Sequence, residues 1–349
     1  MRLTLPFVIA GLVTAAIPAG AQDAERRTEL RDMVRSFKAR AYQGRNNGPE
    51  QTERFSRKVK VGRDGRVSIA NISGDIVVTA GSGDEVSIDA VKRTRSGQGD
   101  LASVRIDVEE RGGRVDVQTL HTGRNDRVSV DYTVVMPAAA SVDVHSVSGS
   151  VKVTGVRGSV RAETVSGNVT TTDTPRLENA KSVSGDVYLT GAAADGDLSA
   201  SSVSGNVTAK GLKARGLDLG SVSGDISLSD VSCDRLTIKT VSGNVEYAGT
   251  IVRNGRYEIT SHSGTVRLLL ANPSGFELNA NSFSGSVRSE LPLTIGGDSG
   301  RRDRDTRDDR DRGRRRDGSN SRTMRATFGD GAATVTVRTF SGNIIIAKR

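Results

Sequence analysis

Ser146-Val147-Ser148-Gly149-Ser150-Val151, Thr164-Val165-Ser166-Gly167-Asn168-Val169 and Ser182-Val183-Ser184-Gly185-Asp186-Val187 are copies of one phrase. Each runs through a hydroxyl residue, an apolar residue, Ser, Gly, a small polar residue and a β-branched one. The phrase returns around Gly205, Gly224, Gly243, Gly264 and Gly285, with a last copy at Gly342 and an early one, Asn71-Ile72-Ser73-Gly74-Asp75-Ile76. From Gly149 to Gly285 the spacing is about 18–21 residues, the range in which internal repeats signal a stacked, solenoid-like architecture.

Apolar residues keep fixed offsets from the glycine. Seven before it stand Val142, Val160, Leu198, Leu217, Leu236, Tyr257, Leu278 and Val335, and five before it Val144, Ala162, Ala180, Ala200, Leu219, Ile238, Ile259, Ala280 and Val337. Two before it the residue is mostly Val, with His262, Phe283 and Phe340 late in the chain. Two after it stand Val151, Val169, Val187, Val207, Ile226, Val245, Val266, Val287 and Ile344, with a looser column four after. These offsets describe two short strands per rung, each of period two, joined by a sharp turn at Ser-Gly-Asp/Asn. Glycine there can take positive φ, and Asp or Asn can bond nearby backbone. Rungs stacked about 4.8 Å apart place each column in register as an internal ladder. The early copy at Gly74 fits the same offsets through Val67, Ile69, Ile72, Ile76 and Val78.

Composition agrees with such a thin core. Among 349 residues there is no Trp, aromatics are 3%, and Gly numbers 40. Net charge is +9, which biases the protein toward anionic partners such as an envelope polymer or a glycan. The single cysteine, Cys233, gives no internal disulfide and reads as semi-buried and structural, with a reactive thiol as the alternative.

The N-terminus reads as a secretion leader: Arg2, an apolar run from Leu3 to Ile17, and Ala19-Gly20-Ala21 as the cleavage site. Export to the periplasm, the cell surface or the medium is the expectation, with no later membrane span. Leu30, Met33, Val34, Phe37 and Ala41 fall at helical spacing within Glu25–Ala41, a stripe that suits a cap for the stack or a membrane-surface helix. The expected organisation is therefore a leader at 1–21, a charged helix and linker at 22–57, and an all-β solenoid at 58–349. A disordered Arg/Asp-rich insertion at 297–323 interrupts it. In that tract Arg301, Arg302, Arg304, Arg314, Arg315 and Arg316 are candidate anion-binding residues, against a solubilising role for a chain that also carries interleaved Asp.

Nothing in the sequence assembles a reaction centre. His121, His145 and His262 stand apart without metal-ligand spacing, so no catalytic residue, metal or cofactor is expected. A serine in every rung is a turn residue, and the Asp/Asn after the glycine lacks the Gly-Gly-x-Gly-x-Asp pattern of calcium-binding rolls. Glu163, Glu178, Glu246 and Glu277 share no offset, which weakens the alternative of a glycan-processing β-helix enzyme. Thr170-Thr171-Thr172 could present a hydroxyl array on a flat face, and a filament assembled through exposed end rungs is a further alternative. The turn column, Gly74, Gly149, Gly167, Gly185, Gly205, Gly224, Gly243, Gly264, Gly285 and Gly342, is read as structural.

Three stretches, Val67–Val78, Tyr132–Pro137 and the serial Val-Ser-Gly-Asp/Asn-Val rungs, resemble the bacterial putative-adhesin family of domains of unknown function (domain of unknown function 4097). The likeness covers about residues 59 to 349 apart from the Arg-rich tract, which departs from the family pattern. It implies a β-solenoid in or outside the cell envelope, a binding scaffold with no catalytic residues to carry over. The flat faces between corners, or the Arg tract, are the expected contact surfaces.

Overall fold

The computed structural model describes residues 49–95, 98–123, 127–194, 196–271, 275–295 and 322–349. The leader, the helix expected at Glu25–Ala41 and the six candidate arginines lie outside them. The β domain starts at Gln51, earlier than the expected boundary at 58. The residues from Gln51 pair antiparallel with a neighbouring strand, and Phe55 packs on the core. At the other break, Arg322 and Thr323 already belong to a strand, so the insertion ends sooner than 323.

Among the described residues the fold is all-β and solenoid-like apart from one short helix, with every strand in one hydrogen-bonded sheet. The first part holds β1 (Gln51–Lys60), β2 (Arg66–Ser73), β3 (Ile76–Gly81), β4 (Glu85–Thr94), α1 (Gln98–Ala102), β5 (Val104–Arg111), β6 (Arg114–His121) and β7 (Val128–Pro137). The phrase copies then supply β8 (Ser141–Ser148), β9 (Val151–Thr154), β10 (Val160–Ser166), β11 (Val169–Thr172), β12 (Leu177–Ser184), β13 (Val187–Ala193) and β14 (Asp197–Ser202). Three long strands follow, β15 (Val207–Ser223), β16 (Ile226–Ser242) and β17 (Val245–Ser263), each running from one corner glycine to the next. Last come β18 (Val266–Leu270), β19 (Phe276–Ser282), β20 (Val287–Ser289), β21 (Thr294–Ile295), β22 (Arg322–Phe328), β23 (Ala333–Ser341) and β24 (Ile344–Lys348).

Copies of the phrase pair parallel and column on column. Val142 faces Val160, Val144 faces Ala162, and Ser148 faces Ser166 across β8 and β10; Leu217, Leu236 and Tyr257 align across β15, β16 and β17. Strands before the corner form one face and strands after it the other. The columns at minus seven, minus five, plus two and plus four are buried as expected, apart from half-buried Val287 in the last layer, and Val156, Leu212 and Val231 join them inside. Fully burying one such aliphatic side chain contributes about 1.5–3 kcal/mol, so the thin core gains stability by length. The Gly185 copy has Glu178 where an apolar residue is due. A bulge between Val160 and Arg161 brings Leu177 opposite Val160 instead, and Glu178 turns outward to Arg161 at 2.8 Å.

The stack order differs from the chain order at both ends. The early Gly74 copy sits directly against the Gly149 copy, with β2 on β8 and β3 on β9, while β6 and β7 occupy its other side. The Gly342 copy follows Gly285 in the chain, but its strands β23 and β24 lie between the Gly264 and Gly285 layers. The chain achieves this by running β22 antiparallel on the outer side of β19 and then entering β23 on the inner side.

Antiparallel strands also finish the stack. At the beginning β5 covers β6 and β1 covers β4, both rich in exposed charge, including Arg54, Arg57, Lys58, Glu109 and Arg111. At the far end β22 covers β19, and β20 is three residues long. Charged and short edge strands of this kind blunt pairing with another chain, which works against growth of a filament end to end.

Candidate functional site

The corner fixes what the outside of the molecule presents. Alternation continues without a break from minus seven to the turn, so minus seven, minus five and minus three point inward while minus six, minus four and minus two point out. In β16 this buries Leu236, Ile238 and Thr240 and exposes Lys239 and Val241. The hydroxyl residue of the phrase is therefore inside and its apolar neighbour outside. The column two before the glycine, expected as an internal ladder, is instead a surface ridge.

In stack order the ridge reads Ile72, Val147, Val165, Val183, Val203, Val222, Val241, His262, Phe340 and Phe283. The nine apolar members are each between 39% and 51% exposed. Nine intervals of about 4.8 Å give a row of about 43 Å along the stack. Its last three members are rings stacked one layer apart: His262 on Phe340 with centroids 4.9 Å apart, and Phe340 on Phe283 at 4.8 Å. Leu120, also exposed, stands two residues beyond Gln118, the partner of Ala70, as Ile72 stands two beyond Ala70, and so extends the row onto β6. An apolar surface this long is uncommon on a free monomer.

Inside the corner, two ladders hold the ridge rigid. In the middle layers the buried hydroxyl at minus three donates to the glycine carbonyl of the adjacent layer: Thr164 to Gly149 at 3.0 Å, Ser182 to Gly167 at 2.8 Å, Ser202 to Gly185 at 2.8 Å and Ser221 to Gly205 at 3.0 Å, whereas Ser146, Thr240, Ser261 and Thr339 have no such partner. After the glycine, Oδ1 of Asn168, Asp186, Asn206 and Asp225 accepts the amide N–H of Asp186, Asn206, Asp225 and Asn244 in turn, at 2.7–2.9 Å. The Asp/Asn side chains thus bind the next layer, not their own turn. In the first layer Asn71 replaces the hydroxyl residue and donates to the Val130 carbonyl at 2.8 Å, while Thr119 joins it to Tyr132.

A groove of about 450 Å³ flanks the early ridge, lined by Ile72, Val147, Val165, Val183, His145 and Lys181 among others. His145 is held on both sides: Nε2 lies 2.9 Å from Asp143 and Nδ1 3.5 Å from Glu163, whose other oxygen accepts from Asn179 at 2.7 Å. Its imidazole is engaged by carboxylates on both sides rather than poised as a base or ligand.

The remaining sequence candidates disperse. His262 is in the ring stack, and His121 ends β6. Glu178 and Glu246 each face an arginine in separate layers. Among the described residues no group of three or more His, Cys, Asp or Glu could hold a metal ion. Thr171 points into the core, which leaves Thr170 and Thr172 alone on the surface of the expected hydroxyl array. Cys233 is buried beside Tyr247 and Tyr257, with the Tyr257 hydroxyl donating to its carbonyl at 2.8 Å. Burial, followed by the Asp234 charge, pushes its thiol up to about 12, which leaves it inert. By composition the minus-two column is indistinguishable from core; its parity relative to minus seven and minus five is the sequence signal that places it outside.

A sequence profile of the family described as Toastrack DUF4097 matches residues 65–347. No curated protein matches the chain. Among solved structures, a putative adhesin from Bacteroides fragilis is 11% identical, covering 84% of this chain and 97% of its own, with a TM-score of 0.42. A putative cell adhesion protein from Clostridium sporogenes is 9% identical over 86% of this chain and 100% of its own, with a TM-score of 0.23. A putative lipid binding protein from Parabacteroides distasonis is 15% identical over 66% and 92%, with a TM-score of 0.36.

Proposed function

The chain belongs to the Toastrack DUF4097 family, and on that premise we propose that it is an exported, non-enzymatic binding scaffold of the cell envelope whose contact surface is the apolar ridge. The observation that carries this reading is the row from Ile72 to Phe283, exposed at every layer although nine of its ten side chains are of a type that cores normally absorb. A solenoid of 18–21-residue rungs, entered from a short N-terminal helix, is the scaffold this requires. Because the ridge rides on two hydrogen-bonded ladders, a partner can dock without ordering a loop, which lowers the entropic cost of binding. The leader-like first 21 residues support export, and the net charge of +9 supports an anionic envelope polymer or glycan nearby.

The test is retention of the exported chain on immobilised peptidoglycan, lipopolysaccharide, host matrix protein, DNA and the same chain itself at physiological salt. Wild type is retained on at least one of them, and the Val165→Asp/Val203→Asp variant is lost from it. Equal retention of the two proteins, or no retention of wild type on any surface, overturns the ridge as the contact surface.

A further inference from the structure

Resting on the reading of the ridge as a contact surface, we propose that its partner is a second copy of this chain, docked ridge against ridge with the two stacks parallel. The adhesion is thus homotypic, and the two-fold axis runs along the ridge.

The first argument is geometric. The row is one side chain wide and repeats once per layer at about 4.8 Å. A rigid partner that fills every notch must carry the same repeat, and another stack of this fold does. The rings do not form a platform for a flat ligand, because His262, Phe340 and Phe283 cover one another's faces and turn their edges outward.

The second is area. Nine apolar side chains about half exposed present roughly 600 Å² per copy, at the upper end of what a lone monomer leaves in one patch, and with the flanking serines this approaches the roughly 800 Å² per partner of a stable interface.

The third is charge. One flank of the ridge is the column four before the glycine, and the other is the residue after it. An axis along the ridge sets each flank against the opposite flank of the partner, layer by layer. Lys181 then meets the partner copy's aspartate at the Asp186 position, while Glu163, Lys239 and Arg338 meet the amides at the Asn168, Asn244 and Asn343 positions. No like charges oppose. An axis across the ridge would instead place Lys181 against Lys239. A membrane fits less well, since the Asp75, Asp186 and Asp225 flank would face anionic headgroups.

Sedimentation velocity and light scattering on the full exported chain test the proposal. Wild type gives twice the monomer mass, and Val165→Asp/Val203→Asp halves it while far-ultraviolet circular dichroism and melting temperature stay the same. Orientation is read with Val147→Cys. On the axis this residue faces its own counterpart within the roughly 7 Å that a disulfide spans, so mild oxidation yields a cross-linked dimer; in the crossed arrangement it faces Phe340 and no link forms. A wild-type chain that stays monomeric overturns the second copy as partner. If the Asp variant then still loses its retention on envelope polymers, or wild type binds vesicles of anionic lipid through the ridge, the contact-surface reading stands without it. A dimer that survives Val165→Asp/Val203→Asp, or one in which Val147→Cys fails to cross-link, also overturns the proposal.

Discussion

The carbonyl oxygen of Gly205 occupies the space that a side chain on Gly224 would need: a Cβ built there falls 2.1 Å from it. The same contact recurs between Gly243 and Gly224, Gly185 and Gly167, and Gly342 and Gly264, so the glycines form a continuous column of backbone against backbone. Positive φ accounts for only part of this. Gly74 has φ of 111°, whereas Gly205, Gly224 and Gly243 are not in that region, and their glycine is required by the close approach alone. Gly224→Ala should cost about 3 kcal/mol or more, because the Gly205–Asn206 backbone of the adjacent layer must move. Gly62 has positive φ but open space around it, and Gly62→Ala should cost only about 1–2 kcal/mol. Urea denaturation of the two variants checks the order; equal costs would contradict the packing account.

Within the hydroxyl column, partnered and unpartnered members should behave oppositely. Ser182 is buried and donates to the Gly167 carbonyl at 2.8 Å, so Ser182→Ala should cost about 1 kcal/mol. The Thr240 hydroxyl is buried without a hydrogen-bond partner, and Thr240→Val should be neutral or stabilising. Thermal unfolding of both variants reads the sign.

Alkali should unfold the protein through its buried acids. Burial raises the Cys233 thiol from 9.0 to about 12 and the Tyr132 phenol from 10.0 to about 12, and it raises Tyr247 and Tyr257 in the same direction. The folded state keeps protons that the unfolded chain releases, so stability is full below about pH 9 and falls as pH rises toward 12. The slope approaches about 1.4 kcal/mol per pH unit for each group. Urea midpoints taken from pH 8 to pH 11 should decline, with tyrosinate absorbance appearing together with unfolding. A flat profile would contradict the burial.

The threading of the last layer can be read by cross-linking. Ser263 and Ser341 are register partners in adjacent parallel strands, both exposed. Paired cysteines at 263 and 341 should join on oxidation, and a pair at 263 and 284 should not, since the Gly342 layer separates them. The reverse result would restore chain order as stack order.

The all-β, solenoid-like build was legible because the same apolar offsets recur around almost every corner glycine, Glu178 before Gly185 being the exception. Two things were not legible. Stack order at the ends depends on which edge a returning strand meets, and neither β2 nor β23 carries a residue that distinguishes its two neighbours. The ridge was hidden by composition: Val at minus two looks like the core Val at plus two, and only the parity of the strand separates Val203 from Val207. Asp and Asn at the corner were read as local turn formers, because a single layer shows no neighbour; their partners, such as the Asp225 amide for Asn206, lie 19 residues away.

Two residues of one corner separate the roles of the phrase most directly. Val203→Asp and Gly205→Ala should be compared side by side for melting temperature and for retention on the surface that holds wild type. Val203→Asp should leave melting unchanged and abolish retention, while Gly205→Ala should lower melting by several degrees and, below its transition, retain binding. If Val203→Asp instead unfolds the protein, or binds as wild type does, the outward column is not the contact surface and the account fails.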